Sequence, residues 1–109
     1  MGAAERRKGT AWEQAVARWL RESGTVPHAE CAPRGESQNH GDIWGAPHLY
    51  IEAKNARGLD LSGWLDKAMS LAAGRLPILV IKRKGKGDTG EAYVVARLAD
   101  IAPYLRDGP

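Results

Sequence analysis

The chain has 109 residues and a net charge of +3, with 43% apolar and 27% charged residues, which predicts one folded domain and excludes a disordered chain. No apolar run approaches the roughly 20 residues of a membrane span, and the charged first residues lack the apolar segment of a secretory signal. The single cysteine, Cys31, excludes an intrachain disulfide and a Cys-cluster zinc site, so we expect a cytoplasmic protein that does not contact membranes.

Residues 1–8 are predicted to form a flexible basic arm in front of the first helix. That helix is expected from about 11 to 22, because apolar residues recur there at helical spacing. Thr10 is a suitable N-cap, and Glu13 lies at the position that completes a capping box. Such a cap would explain Glu13 without any catalytic role.

The next segment is predicted to contain three short strands. A weak edge strand is expected at 26–33, where prolines bracket the run, and a polar loop follows over 35–41. Two further strands are expected at 42–45 and 48–54, joined by a turn at 45–47.

The second half of the chain is predicted to contain, in order, a helix at 61–73, a buried strand at 78–81, a basic glycine-rich loop at 83–90, a strand at 92–96 and a helix at 98–105. The helix between the third and fourth strands permits a crossover connection. We therefore expect an α/β fold with the order α-β-β-β-α-β-β-α and a mixed five-stranded β-sheet flanked by helices. The single domain would span 9–105, with 106–109 a frayed tail.

The candidate chemistry lies on the central hairpin. If the chain turns at 46–47, Asp42 comes to lie opposite Glu52 or one position away from it. Glu52 and Lys54 project from the same face of their strand because they are two residues apart. Two carboxylates and one ammonium group are thus expected to meet at one point on the sheet.

Two neighbouring carboxylates repel each other and raise each other's pKa unless a cation lies between them. Oxygen ligands of this kind suit Mg²⁺, which can activate water and stabilise charge on a phosphodiester. Lys54 could then orient the attacking water or offset the developing charge. The competing interpretation of Asp42, Glu52 and Lys54 is a solvated strand face with an ordinary ion pair.

Two basic clusters flank this unit, and both could neutralise phosphates of a nucleic acid. Each could equally be a solvated segment without a partner. The clusters are Arg6, Arg7 and Lys8 before the first helix, and Lys82, Arg83, Lys84 and Lys86 in the later loop.

Three runs of sequence carry a resemblance to a known family: RKGTAWE at 7–13, GDIWG at 41–45 and IEAKN at 51–55. In this order they resemble the PD-(D/E)XK nuclease superfamily, and within it the Holliday-junction resolvases of the archaeal kind and their phage-encoded relatives. The resemblance covers roughly residues 6–96. It implies a restriction-endonuclease-like core, Mg²⁺ with Mn²⁺ as a substitute, and a cytoplasmic setting that includes a bacterial host of a phage.

The resemblance also implies roles for individual residues. Asp42 and Glu52 would be metal ligands, Lys54 the catalytic lysine, and Glu13 the carboxylate that completes the catalytic and metal-binding set. Arg34 and Ser37 would lie on the segment that approaches the scissile strand. A homodimer is implied as well, because a four-way junction has near two-fold symmetry and needs paired cuts.

The expected function is therefore resolution of four-way DNA junctions by paired symmetric nicks. Two alternatives stay open at this point. One is another nuclease of the same superfamily that cuts ordinary duplex or flap DNA, since the metal site does not determine which DNA shape is chosen. The other is a non-catalytic nucleic-acid-binding module whose acidic residues are only structural.

Overall fold

A computed structural model describes residues 2–33 and 35–107, apart from the side chains at positions 37 and 38. The elements are α1 (Ala3–Glu22), β1 (Glu30–Cys31), α2 (Ser37–His40), β2 (Ile43–Trp44), β3 (Leu49–Lys54), α3 (Leu61–Leu71), β4 (Leu76–Ile81), a 3-10 turn (Thr89–Glu91), β5 (Tyr93–Val95) and α4 (Leu98–Asp107). One five-stranded sheet has the order β1-β2-β3-β4-β5. The predicted α/β class with a mixed five-stranded sheet is confirmed.

The strand directions follow from the connections. The pair β3–β4 is parallel, and the other neighbouring pairs are antiparallel. A parallel pair needs a crossover, and α3 supplies it. The Asp60 side chain begins α3 by accepting a hydrogen bond of 3.0 Å from the Gly63 N–H, as expected of an N-cap aspartate.

Two apolar cores cover the two faces of the sheet. On one face α1 contributes Trp12 and Val16, which pack against Ile43 and Ile51. On the other face α3 contributes Ala68, which packs in the cluster of Tyr50 and Leu79. Alternate residues of β4 belong to the two clusters, so the prediction of a strand covered on both faces is confirmed.

The predicted start of the first helix is wrong. Helix α1 begins at Ala3, so residues 3–8 are its first turns and not a flexible arm. Alanine, glutamate, arginine and lysine are strong helix formers even without an apolar stripe, and Glu5 lies favourably in the first turn. Thr10 and Glu13 therefore lie in the helix interior and form no capping box.

Other boundaries differ from expectation as well: the strand predicted at 26–33 covers only Glu30–Cys31, and β4 begins at Leu76. Residues 37–40 of the predicted polar loop form the short helix α2, which carries no apolar periodicity that would reveal it in the sequence. Helix α4 continues to Asp107, past the start of the predicted tail, and contains Pro103. Of the helices in the described ranges, none combines the length and the apolar character that crossing a bilayer requires.

The β2–β3 hairpin depends on glycines that allow close approach of the backbone. Gly41 has a φ of +79°, and a Cβ atom there would lie 2.7 Å from the Ile51 carbonyl oxygen. Gly45 has a φ of +113° and is similarly crowded against His28 and Ala29. Only glycine adopts such positions without strain, so Gly41 allows the next residue, Asp42, to lie against β3.

Candidate active site

The backbone and side chain of Asp42 are fixed by three hydrogen bonds. Its N–H donates to the Ile51 carbonyl (2.7 Å), and its carbonyl accepts from the Ala32 N–H (2.8 Å). Its Oδ2 accepts from the Ala53 N–H at 2.9 Å. Asp42 is charged and yet buried, with 9% of its surface exposed. The hairpin thus holds this carboxylate in one position.

Glu52 is the partner of Asp42. The pairing of Ile43 with Ile51 places these two acids opposite each other. Burial, and then the charge of Asp42, raise the pKa of Glu52 from 4.5 to about 7. Burial also raises the pKa of Asp42, against the opposing effect of the Ala53 N–H. The two facing carboxyl groups therefore disfavour each other's ionisation.

Of the two lysines whose charges act on this pair of acids, Lys54 has the larger effect. Its charge lowers the pKa of Asp42, of Glu52 and of Glu13. Its Nζ lies 5.3 Å from the centre of the Trp64 ring on α3, a cation–π contact that limits the positions of the side chain. The structure therefore brings Lys54 together with the acids as the sequence predicts.

Glu13 approaches from α1. Burial, and then the charge of Asp42, raise the pKa of Glu13 from 4.5 to about 7. A groove of about 920 Å³ runs between α1 and the segment after β1, and both Glu13 and Asp42 line it. We call this the α1 groove. Its floor thus carries two acids on separate elements.

The donor set limits how a metal ion could be held. Within the described residues, no three His, Cys, Asp or Glu side chains form a cluster suited to a metal ion. The role of Glu13 as a third metal ligand stays a prediction. The Asp42–Glu52 pair by itself fits Mg²⁺, which commonly takes one or two carboxylates and completes its shell with water and substrate phosphate.

Only part of the first basic cluster lies in the α1 groove. Arg6 and Arg7 line the α1 groove, whereas Lys8 does not. Arg34 lies outside the described residues, as does the side chain of Ser37. The groove therefore has two cations on its α1 wall, and the other two predicted DNA-binding positions stay predictions.

The second basic cluster leaves the sheet at the same end as Lys54. Because β3 and β4 are parallel, their last residues lie side by side, and the Lys82 N–H donates to the Lys54 carbonyl at 3.0 Å. Lys82 also lies 5.9 Å from the Trp12 ring centre. Within the loop, Arg83 pairs with Glu91 at 3.0 Å.

The remaining lysines of this loop are exposed. Lys84 donates to the Arg57 carbonyl at 3.0 Å. Lys86 lies at the tip of the loop, after the turn at Gly85. The second basic cluster thus contains side chains that contact other parts of the protein and one, Lys86, for which no such contact is described.

Three residues at the site have no motif that predicts a role. Lys67 on α3 lowers the pKa of both Asp42 and Glu52 by its charge. Tyr50 lies two residues before Glu52 on β3, and burial, followed by the charge of Glu52, raises the pKa of Tyr50 to about 12. Arg75 stacks on Tyr50, with 5.1 Å between guanidinium carbon and ring centre. The alternation of β3 could have placed Tyr50 on the face of Glu52, but nothing in the sequence indicates that Arg75 reaches it.

Comparison with known proteins adds no family assignment. Neither the family models, nor the curated proteins, nor the solved structures give a significant match to this chain.

Proposed function

We propose that this protein is a Mg²⁺-dependent, structure-selective endonuclease that hydrolyses phosphodiester bonds in four-way DNA junctions. The observation that carries the proposal is that Asp42 and Glu52 face each other across the hairpin, close enough to Lys54 for its charge to lower the pKa of both. Burying two acids costs folding free energy, because the charged forms lose water. Clusters of this kind are typical of functional sites, where the perturbed groups are used in chemistry.

The fold supports the same proposal. Apart from the short helix α2, the elements follow the order α-β-β-β-α-β-β-α, which is compatible with the proposal. Asp42 directly precedes the second strand, Glu52 lies on the third, and Lys54 ends the third. Helices α1 and α3 cover opposite faces of the sheet, so side chains from both can reach the end of β3.

The residues divide the chemistry as follows. Asp42 and Glu52 would hold the divalent cation, which when bound would supply Lewis-acid activation of water and charge neutralisation at the phosphate. Lys54 donates hydrogen bonds to the phosphate oxygens and offsets the negative charge that builds as water attacks phosphorus. A bond from the water oxygen to phosphorus forms while the bond to the 3′ oxygen breaks. The attacking water loses its proton to solvent, and the 3′ oxygen takes one from solvent. Glu13 acts from across the α1 groove, through a water molecule.

The DNA strand follows the α1 groove. Arg6 and Arg7 on its wall neutralise phosphates next to the bond that is cut. Lys82 and the loop that follows bind a second part of the DNA, because they leave the sheet at the same end as Lys54. Both contacts depend on charge, so they select the shape of the DNA backbone and not its sequence.

A homodimer is part of the proposal, and the surface of β5 and α4 supports it. Strand β5 is an edge of the sheet, with Tyr93 and Val94 more than half exposed at 52% and 63%. Helix α4 has no buried residue, although Leu98 and Leu105 lie one above the other on it. An open strand edge beside an apolar helix face is a surface that proteins usually cover.

Light scattering tests the dimer directly. We expect a dimer for the native chain and a monomer for Val94→Lys or Leu98→Asp, because each places a charge in the proposed interface. Glu30→Lys is the control, since Glu30 is exposed on β1, at the opposite edge of the sheet from β5. A native monomer at assay concentration would exclude the dimer and leave the chemistry to be tested separately.

The proposed function itself is tested with a synthetic four-way junction and its linear arms, with and without Mg²⁺. We expect paired symmetric nicks in the junction and none in the linear duplex. Cleavage of linear duplex would indicate another nuclease of the same fold. Salt-sensitive binding without cleavage under Mg²⁺ or Mn²⁺ would indicate a non-catalytic binding module.

A further inference from the structure

A second pocket lies apart from the α1 groove, where β3 and β4 end and β5 begins. It has a volume of about 270 Å³, and its lining includes Arg57, Leu59, Ile81, Lys84 and Tyr93. We call it the β5 pocket. Among the described residues, no acid lines it. A small pocket that combines cations with apolar and aromatic side chains suits a ligand that has both an anionic group and a flat ring.

The strand register places the β5 pocket beside the candidate active site. Lys54 pairs with Ile81, and Ile81 pairs with Tyr93, so the three residues form one row across β3, β4 and β5 and project from one face of the sheet. Two strand spacings of about 4.8 Å separate the backbones of Lys54 and Tyr93 by roughly 10 Å. At about 3.4 Å of helix axis per nucleotide of one strand, this distance corresponds to about three nucleotides.

The Tyr93 ring is held in place and is still exposed. The guanidinium carbon of Arg83 lies 5.1 Å from the ring centre, and Arg83 is itself paired with Glu91 at 3.0 Å. Tyr93 is nevertheless 52% exposed, and Leu59 in the same lining is 59% exposed. A ring that a cation orients from one side, and that still contacts water, is a surface on which a nucleobase can stack.

Arg57 and Lys84 supply the charge of the pocket. The Lys84 Nζ donates to the Arg57 carbonyl at 3.0 Å, which leaves further N–H donors of this ammonium group for a ligand. Within the described ranges, neither cation forms an ion pair with an acid. Lys82 also lines the pocket, but its ammonium group lies 5.9 Å from the Trp12 ring centre. An anion in the pocket therefore finds Arg57 and Lys84.

We propose that the β5 pocket binds a single unstacked nucleotide, with its base on the Tyr93 ring beside Leu59 and its phosphate on Arg57 and Lys84. The place of this nucleotide near the cut bond rests on the proposed function. A base leaves the stack at the lowest cost where it is already unpaired or poorly paired. The pocket thus favours DNA with bases free to unstack over intact linear duplex, a selection that charge alone does not provide.

Fluorescence anisotropy in a chelator tests the pocket with two labelled oligomers that carry equal numbers of phosphates. One is a thymidine oligomer, and in the other stable abasic sugars replace the nucleosides. We expect the native chain to bind the thymidine oligomer about 5-fold or more tightly, the fold-change for roughly 1 kcal/mol of stacking. Tyr93→Leu should abolish this preference, and Tyr93→Phe should keep it, because stacking needs the aromatic ring. Arg57→Ala should weaken the binding of both oligomers equally and reduce its salt dependence.

Two controls match these variants. Tyr104→Leu removes a tyrosine that is 59% exposed on α4, outside the pocket, and should keep the native preference. Arg18→Ala removes an exposed cation of α1 that does not line the pocket, and its effect on affinity should be smaller than that of Arg57→Ala. Because Val94 projects from the opposite face of β5 to Tyr93, the Tyr93 variants leave that side of the proposed dimer surface unchanged.

Equal affinity of the native chain for the two oligomers would overturn the proposal, as would a preference that survives in Tyr93→Leu. If Tyr93→Leu does not fold, Leu59→Asp decides, because a carboxylate there repels phosphate and should weaken binding several-fold. Unchanged affinity in Leu59→Asp would overturn the proposal too. Cleavage of junctions without any preference between the oligomers refutes the pocket alone, whereas a preference without cleavage refutes the nuclease and leaves the pocket.

Discussion

Glu52 and Asp42 face each other across the β2–β3 hairpin, with Asp42 buried and Glu52 half-buried. Neither acid finds a compensating ion pair of the quality that burial requires, and Lys54 only reduces the cost. A hairpin selected for stability alone would carry apolar side chains here. The metal-free protein is therefore expected to be strained electrostatically at the point where the chemistry is proposed.

The first prediction is that Glu52→Gln stabilises the metal-free protein. The folded-state pKa of Glu52 is about 7 against an ordinary value of 4.5. Folding therefore favours the protonated form, and this stabilisation is complete below pH 4.5 and lost as the pH rises through 7. Above pH 7 we expect Glu52→Gln to raise the free energy of unfolding by about 1 kcal/mol, after discounting for partial exposure.

Urea denaturation in a chelator, below pH 4.5 and above pH 7, measures this effect. The difference between variant and native chain should disappear at the acid end. Glu30→Gln is the control, because Glu30 is exposed on β1, and it should change little at either pH. A Glu52→Gln protein that is less stable than the native chain above pH 7 would contradict the prediction.

The second prediction separates cutting from binding. Asp42→Asn, Glu52→Gln and Lys54→Ala should each reduce cleavage by at least about 100-fold, because each removes a group that acts on the transition state. Junction affinity, measured by gel shift in Ca²⁺, should change little. Asp66→Asn, an exposed acid on α3, is the control and should cut normally. Native cleavage rates in Lys54→Ala would remove the proposed role of that lysine.

The third prediction concerns Glu13. Since Glu13 lies inside α1 and caps nothing, a loss of activity in Glu13→Gln cannot come from a lost helix cap. We expect activity to fall by about 10-fold or more while the unfolding free energy stays equal or rises. The rise follows from the raised pKa of about 7, as for Glu52. Normal turnover per folded molecule would exclude Glu13 from the site.

The fourth prediction places DNA in the α1 groove. Replacing Arg6 and Arg7 with alanine should weaken junction binding and reduce the salt dependence by about two phosphate contacts. Arg18→Ala is the matched control, because Arg18 lies on the same helix, is exposed and does not line the groove. Equal losses in the control and the double variant would mean that only net charge matters.

The hairpin was predictable because its signals are local. Gly41 allows the chain to lie against the backbone of β3, and the turn at 45–47 then determines which acids face each other. The strand β4 was predictable for a similar reason, since a continuous apolar run indicates burial on both faces. These two elements, with α3 between them, were sufficient to place Asp42, Glu52 and Lys54 together.

The features that sequence reasoning missed have two causes. Some depend on contacts between residues distant in sequence, and others on helix propensity in a segment without periodic apolar residues. The first turns of α1 have good helix formers but no apolar stripe, so an amphipathic template begins too late. Arg75 reaches Asn39 across 36 positions of sequence, and no spacing rule anticipates that. Lys67 faces the site only because α3 packs on that face of the sheet.

The most direct measurement is a calorimetric titration of Mn²⁺ into the native chain and into the Asp42→Ala/Glu52→Ala double variant. We predict one site per chain in the native protein, with heat that includes proton release, because the pKa of about 7 leaves a proton on much of Glu52 near neutral pH and metal binding displaces it. The double variant should give no heat above dilution. Equal binding by both proteins, or none by the native chain, would contradict the claim that this carboxyl pair holds the ion.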